Sequence, residues 1–312
     1  MARTADELAR FIQRAVGTRF RRYLRTRGLA RSIIWRNGSV PKGGPDFDDS
    51  LSTDLLTYGC TLLESSLRLR ALGGNADSVL VGLRSAGEAI ESVVRNGDSS
   101  APDYGFNSVI AACAYHLARY SARAYSLLPS DLQNSNLTAG ERALCFLIRR
   151  DLESARRACL GPLNETLGSD EQLLTHLENE DEDGNATIVL VLQGNYFKAL
   201  ARYIYALESG HLESYQQARE RLAEGTHLAA EVGNVPLWWI NSLTLALIDD
   251  LWSTCLYQQL PPDIPGRDHA RWTDLRSGYI RELGRRKIAE LELWPSQVAA
   301  VQQALMTDDN LV

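Results

Sequence analysis

Beyond Ser50, apolar residues recur at three- and four-residue intervals with few interruptions, the spacing that lays one apolar stripe along a helix. The run Leu51–Leu72 ends on Gly73-Gly74, a glycine stop that can take the left-handed cap conformation. Asn75 can cap the next helix, Ala76–Val94, which closes before Asn96-Gly97. A third helix is predicted over roughly 106–128, with Val109, Ile110, Cys113, Leu117, Tyr120, Ala124 and Leu127 on one face. The fourth opens on Thr138-x-x-Glu141, a capping box in which each side chain satisfies the other residue's free amide. Ala143, Leu144, Leu147, Ile148, Leu152, Ala155 and Cys159 carry it on at near-ideal period. Further helices are predicted at about 186–209, 212–232, 236–259 and 267–291. The β-branched run Thr187–Leu192 continues as NYFKALARYIYAL, which favours helix. The pattern predicts an all-α chain of stacked helical hairpins, loosely like a tetratricopeptide array. Ala218, Leu222 and Gly225 stand near the small-large-small positions of such a repeat's second helix, although no clean repeat period is found.

Charge changes the picture at the N-terminus. The whole chain carries −6, yet residues 1–36 hold ten arginines against Asp6 and Glu7, a local balance of +8 that leaves −14 on the remainder. Within this arm Leu8, Phe11, Ile12, Ala15, Val16, Phe20, Tyr23 and Leu24 keep helical spacing, so the arm is predicted to be helix. A turn-rich stretch, Asn37–Asp49, separates it from the body. Arg19, Arg21, Arg22, Arg25 and Arg27 are candidate phosphate contacts, with Phe20, Tyr23 or Trp35 available to stack on bases. The competing expectation buries those aromatics in the core and pairs the arginines with the acidic body. Arg267, Arg271, Arg276, Arg281, Arg285, Arg286 and Lys287 form a second basic stretch.

Composition excludes several function classes. At 312 residues, 45% hydrophobic and 23% charged, the chain has an ordinary globular make-up. Five scattered cysteines offer no Cys-x-x-Cys pair for zinc or thiol exchange and are expected to be reduced. No secretory signal pattern opens the chain, and Val235–Ile248 is too short to span a bilayer, so a cytoplasmic location without membrane partners is expected. The five histidines include no His-Glu-x-x-His pair, and His116 sits on an apolar helix face as a core residue would. The acidic run Glu178–Asp183 lacks the glycine-centred spacing of a calcium loop and is expected to be solvated. No Gly-x-x-x-x-Gly-Lys-Ser/Thr phosphate loop occurs. No catalytic residue and no metal ligand is assigned.

The last segment is the most informative. Pro295 precedes a short amphipathic helix with Val298, Val301, Ala304 and Leu305 on one face, and Ser296 is a plausible N-cap. A polar turn, Thr307–Asn310, leads to Leu311-Val312, which reads as the first step of a buried strand. Trp294-Pro295-Ser296-Gln297, with Ala300, Leu305 and Asn310-Leu311-Val312, resembles the Q-motif region of DEAD/DEAH-box superfamily-two helicases. The likeness spans only residues 294–312; the phosphate loop and Asp-Glu box are absent. It implies that Gln297 contacts adenine, with Trp294 or Pro295 forming the pocket wall. A carboxamide suits that role on its own chemistry, since its adjacent donor and acceptor match adenine N6 and N7.

Three segments are expected: a basic helical arm (1–36), a helical accessory or interaction domain (37–265), and a linker helix with the start of a RecA-like motor (266–312). The resemblance implies the N-terminal accessory region of an ATP-dependent helicase, such as those of bacterial repair or anti-phage defence. It would position nucleic acid or partner proteins for a motor using ATP and Mg²⁺, while the fragment itself would hold neither cofactor. The alternative expectation is a stand-alone helical-repeat scaffold for protein partners.

Overall fold

The structure is a computed structural model. It describes residues 3–36, 50–95, 103–132, 136–166, 184–264, 266, 268–286, 288–293, 297–301 and 303; the side chains of 35, 36, 164–166 and 184–187 are not among those described. The described residues are all-α and contain no strand. The chain divides into two compact units, Met1–Leu137 and Thr138–Val312, at a boundary that lies inside the expected 37–265 segment.

In unit 1 the helices are α1 (Ala5–Gly17), α2 (Arg19–Arg36), α3 (Ser50–Ala71), α4 (Ala76–Val94), α5 (Tyr104–Leu117) and α6 (Ser121–Leu127). The core hairpin is α3 against α4, and α5 packs on α4 and α6 on α5. The axes of α3 and α4 approach closely because small residues line the seam. A Cβ placed on Gly59 would lie 2.7 Å from Ile90 Cγ1 and 3.3 Å from the Ala86 carbonyl. The basic arm belongs to this unit. Helix α1, closed by a Thr4–Glu7 capping box, buries Leu8 and Ile12 against α3 and α4. Helix α2 buries Leu24 with Leu51, Leu55, Ala89 and Val93.

Unit 2 comprises α7 (Ala139–Ile148), α8 (Leu152–Thr166), α9 (Gly184–Ser209), α10 (Leu212–Glu231), α11 (Val235–Thr254), α12 (Leu256–Gln259) and α13 (His269–Gly284). Each of α7 through α11 packs on the next, and short turns such as Gly210-His211 make neighbours antiparallel, giving stacked hairpins. Ala218, Leu222 and Gly225 are all buried on α10, facing this stack.

Several expected helices are broken. The one expected over 106–128 divides at Ala118–Tyr120, and the run from Thr138 to Cys159 divides at Arg149–Asp151. In both places an arginine takes a left-handed backbone, Arg119 at φ 69° and Arg150 at φ 61°. The amides of Tyr120 and Asp151 then donate to the carbonyls of Tyr115 and Phe146, closing the helix ends. The 236–259 helix breaks at Cys255, which turns extended and bridges to Glu292; Leu256 N donates to Leu291 O at 2.9 Å. That bridge also ends the expected 267–291 helix early, at Gly284, because the returning chain must be extended to pair. The residues expected to begin a buried strand, Leu311-Val312, the turn Thr307–Asn310 before them, and the loops Asn37–Asp49 and Glu178–Asp183 lie outside the described residues.

Candidate nucleic-acid interface and arginine-lined cavity

Helix α2 has two chemically different faces, set by its 3.6-residue period. Arg21, Leu24, Gly28 and Arg31 point inward. Arg31 is 7% exposed and donates to Ser52 Oγ at 3.0 Å and to the Ser92 carbonyl at 3.4 Å. Burial, then the nearby Arg27 charge, lowers its pKa. Arg19, Phe20, Arg22 and Tyr23 point outward, and Phe20 and Tyr23 are each 53% exposed. The expectation that the arm's aromatics are core is therefore overturned for these two. The side chain of Trp35 lies outside the described ones.

The five candidate arginines are not brought to one place. Arg21 donates to the Val16 carbonyl at 3.0 Å and to Ser85 Oγ at 3.1 Å, and lies 3.4 Å from Glu88. Arg25 reaches the same carboxylate at 3.3 Å. Arg27 donates to the Tyr23 hydroxyl and lies over that ring, 5.2 Å from its centroid. Arg19 and Arg22 are exposed on the outward face. The arm thus combines an ion-paired inner edge with an outer face of cations and aromatic rings.

A second feature gave no signal in the sequence, because its residues come from four helices. A cavity of about 400 Å³ opens between α2, α4, α5 and α6 in unit 1. Two carboxylates organise its charged wall. Glu88 takes Arg21, Arg25 and, at 3.1 Å, Arg84. Glu91, 3% exposed, pairs with Arg95 at 2.5 Å and Arg123 at 2.7 Å and accepts the Tyr115 hydroxyl at 2.7 Å. Desolvation would lower the Arg123 pKa, but its hydrogen bond to Glu91 and that charge prevail and raise it. Burial, reinforced by the Glu91 hydrogen bond, pushes the Tyr115 phenol well above its ordinary range. Arg84 donates to the Tyr120 hydroxyl at 2.7 Å and lies over its ring at 4.8 Å.

In unit 2, Gln297 begins a described helical stretch at 297–301 and is exposed. Its expected neighbours Trp294 and Pro295 lie outside the described residues. The second basic stretch is dispersed: Arg276 donates to the Tyr257 carbonyl at 2.5 Å, and Arg286 pairs with Glu290 at 2.8 Å. His116 is buried, 5% exposed, on α5. Among the described residues no three His, Cys, Asp or Glu side chains are grouped to hold a metal ion, and no helix is long and apolar enough to cross a membrane. No protein-family model matches the chain, and comparison with curated proteins gives no match.

Proposed function

We propose that this chain is a non-catalytic binding region, the helical accessory part of an ATP-dependent nucleic-acid motor, and that α2 is its nucleic-acid contact. The observation that carries the binding role is the outward side of α2, where Arg19, Arg22, Phe20 and Tyr23 are all exposed. Guanidiniums neutralise phosphates without regard to sequence, and exposed rings stack on bases of a single strand. The motor assignment rests on the Trp294-Pro295-Ser296-Gln297 string and on the exposure of Gln297. This chain would supply only the adenine-selecting amide; it contains no phosphate loop to hold the triphosphate or Mg²⁺. Two measurements test the proposal. Reading the gene beyond Val312 should reveal a phosphate-loop motif within a few dozen codons, and a stop codon would reject the motor. Binding to single-stranded DNA and RNA should weaken steeply as salt rises; absence of binding at low salt would reject the α2 interface.

The scaffold reading is favoured by a separate observation, the burial of Ala218, Leu222 and Gly225 between neighbours in the α9–α11 stack. Such stacks present continuous helical faces to protein partners. In this reading the gene ends without a motor, and the partner is found by cross-linking the intact chain.

A further inference from the structure

We infer that the arginine-lined cavity of unit 1 is a binding site for a small nucleoside phosphate, separate from the outward face of α2. Its volume, about 400 Å³, lies in the range of about 300–1,000 Å³ usual for small-molecule sites. The wall carries Arg25, Arg84, Arg95 and Arg123 against Glu88 and Glu91, an excess of two cationic charges. Arg21, behind the wall, also shares Glu88. That excess matches a dianionic phosphate.

The carboxylates consume few of the available donors. Each guanidinium carries five N–H groups. Arg25 spends one contact on Glu88, and Arg84 spends one on Glu88 and one on Tyr120. Among the described residues the other donors of these two guanidiniums meet no partner, which leaves them to a ligand. These arginines are also held in place beforehand, Arg84 over the Tyr120 ring and Arg123 over the Tyr115 ring at 5.7 Å. Restricting long side chains before binding reduces the entropy lost when a ligand arrives. Across from the guanidiniums, Leu29 and Ile33 of α2 line the cavity with apolar side chains that are 46% and 59% exposed. Inorganic phosphate would leave that apolar wall unused. A ligand with a phosphate at one end and a flat, weakly polar ring system at the other uses both walls.

The test is calorimetric titration of the intact chain at low salt with ADP, adenosine and inorganic phosphate. ADP should bind at one site, with adenosine and inorganic phosphate each at least tenfold weaker. Arg84→Ala should weaken ADP at least tenfold, and Arg84→Lys should not restore it, because a single ammonium lacks the guanidinium fork. Glu88 keeps Arg21 and Arg25 in that variant, so the fold should survive; Leu29→Asp provides a second, independent loss. Arg157→Ala, which removes a 71% exposed arginine of unit 2 that takes no part in either proposed contact, should leave ADP binding unchanged. No ADP binding by the native chain, unaltered binding in folded Arg84→Ala, or phosphate binding as tight as ADP would each overturn the assignment.

Discussion

Arg150 grips Glu292 through two hydrogen bonds, 2.7 and 2.8 Å, joining residues 142 positions apart in the sequence. The same arginine accepts the Ala289 amide on its own carbonyl at 2.9 Å. The turn between α7 and α8 therefore fastens the extended segment that leads to Gln297. Arg150 does this from a left-handed backbone, which costs a non-glycine residue about 1 kcal/mol.

Removing the side chain should loosen that segment. Because the pair is largely shielded, at 13% and 29% side-chain exposure, Arg150→Ala is expected to destabilise unit 2 by about 1–3 kcal/mol. Arg150→Gly loses the same bonds but relieves the backbone, so it should be about 1 kcal/mol more stable than the alanine variant. Urea unfolding followed by tryptophan fluorescence compares the two, since Trp238, Trp239, Trp252 and Trp272 all belong to unit 2. Hydrogen exchange at 289–293 should quicken in both.

Gly225 offers a test with an unusual sign. Glycine to alanine in a helix ordinarily stabilises by about 1 kcal/mol. Here an added Cβ would lie 2.8 Å from Asn241 Oδ1 on α11, a buried oxygen with no hydrogen-bond partner among the described residues. Gly225→Ala should therefore destabilise by about 1–3 kcal/mol through overpacking. In an Asn241→Ala background the penalty should shrink by about 1 kcal/mol or more, measured as a double-mutant cycle.

The helix ends show what the sequence could reveal and what it could not. Four of them close in the same way, with a left-handed residue at Gly73, Arg119, Arg150 or Gly233 and paired backbone bonds behind it. Gly73 was legible because glycine takes that backbone at no steric cost. Arg119 and Arg150 gave no such signal, since apolar periodicity runs through both breaks and arginine carries no preference for that backbone. Local chemistry was legible for the same reason as Gly73: Asn75 accepts the Ser78 amide at 2.8 Å, and Thr138 and Glu141 form the expected capping box. On α2 the spacing located the helix but not its orientation. Counting Phe20 and Tyr23 as apolar placed them inside, whereas the inward positions are given to Arg21 and Arg31, whose charges are met by Glu88, Ser85 and Ser92. The cavity was illegible because Arg25, Arg84, Arg95 and Arg123 are spread over nearly a hundred positions and meet only when α2, α4 and α6 pack.

Alkaline pH should destabilise unit 2 through its thiols. Burial is the main cause that pushes Cys145 and Cys159 from an ordinary 9.0 to about 12; Arg149 opposes it only in part at Cys145. Both are held as neutral thiols in the fold, while the unfolded chain releases their protons above pH 9.0. Stability from these groups is thus full below about pH 9 and is lost as pH rises toward 12. The urea midpoint should fall between pH 8 and 10.5, with a shallower fall in Cys145→Ala/Cys159→Ala. At pH 8 neither thiol should react with a disulfide reagent in the native protein.

The two faces of α2 can be separated by mutation. Arg19 and Arg22 are exposed and touch no carboxylate among the described residues, so alanine at either should leave the melting temperature within about a degree, as expected for surface positions. If they contact phosphates, each substitution should lower affinity for single-stranded nucleic acid and reduce the salt slope by about 0.7. Phe20→Ala should weaken binding by about 1–3 kcal/mol without changing that slope, because stacking releases no counterions. Arg21→Ala should behave in the opposite manner. Its guanidinium already serves Val16, Ser85 and Glu88, so the variant loses thermal stability while its salt slope stays near native. Equal salt slopes for native and Arg19→Ala/Arg22→Ala proteins would remove these arginines from the interface, whatever their effect on affinity.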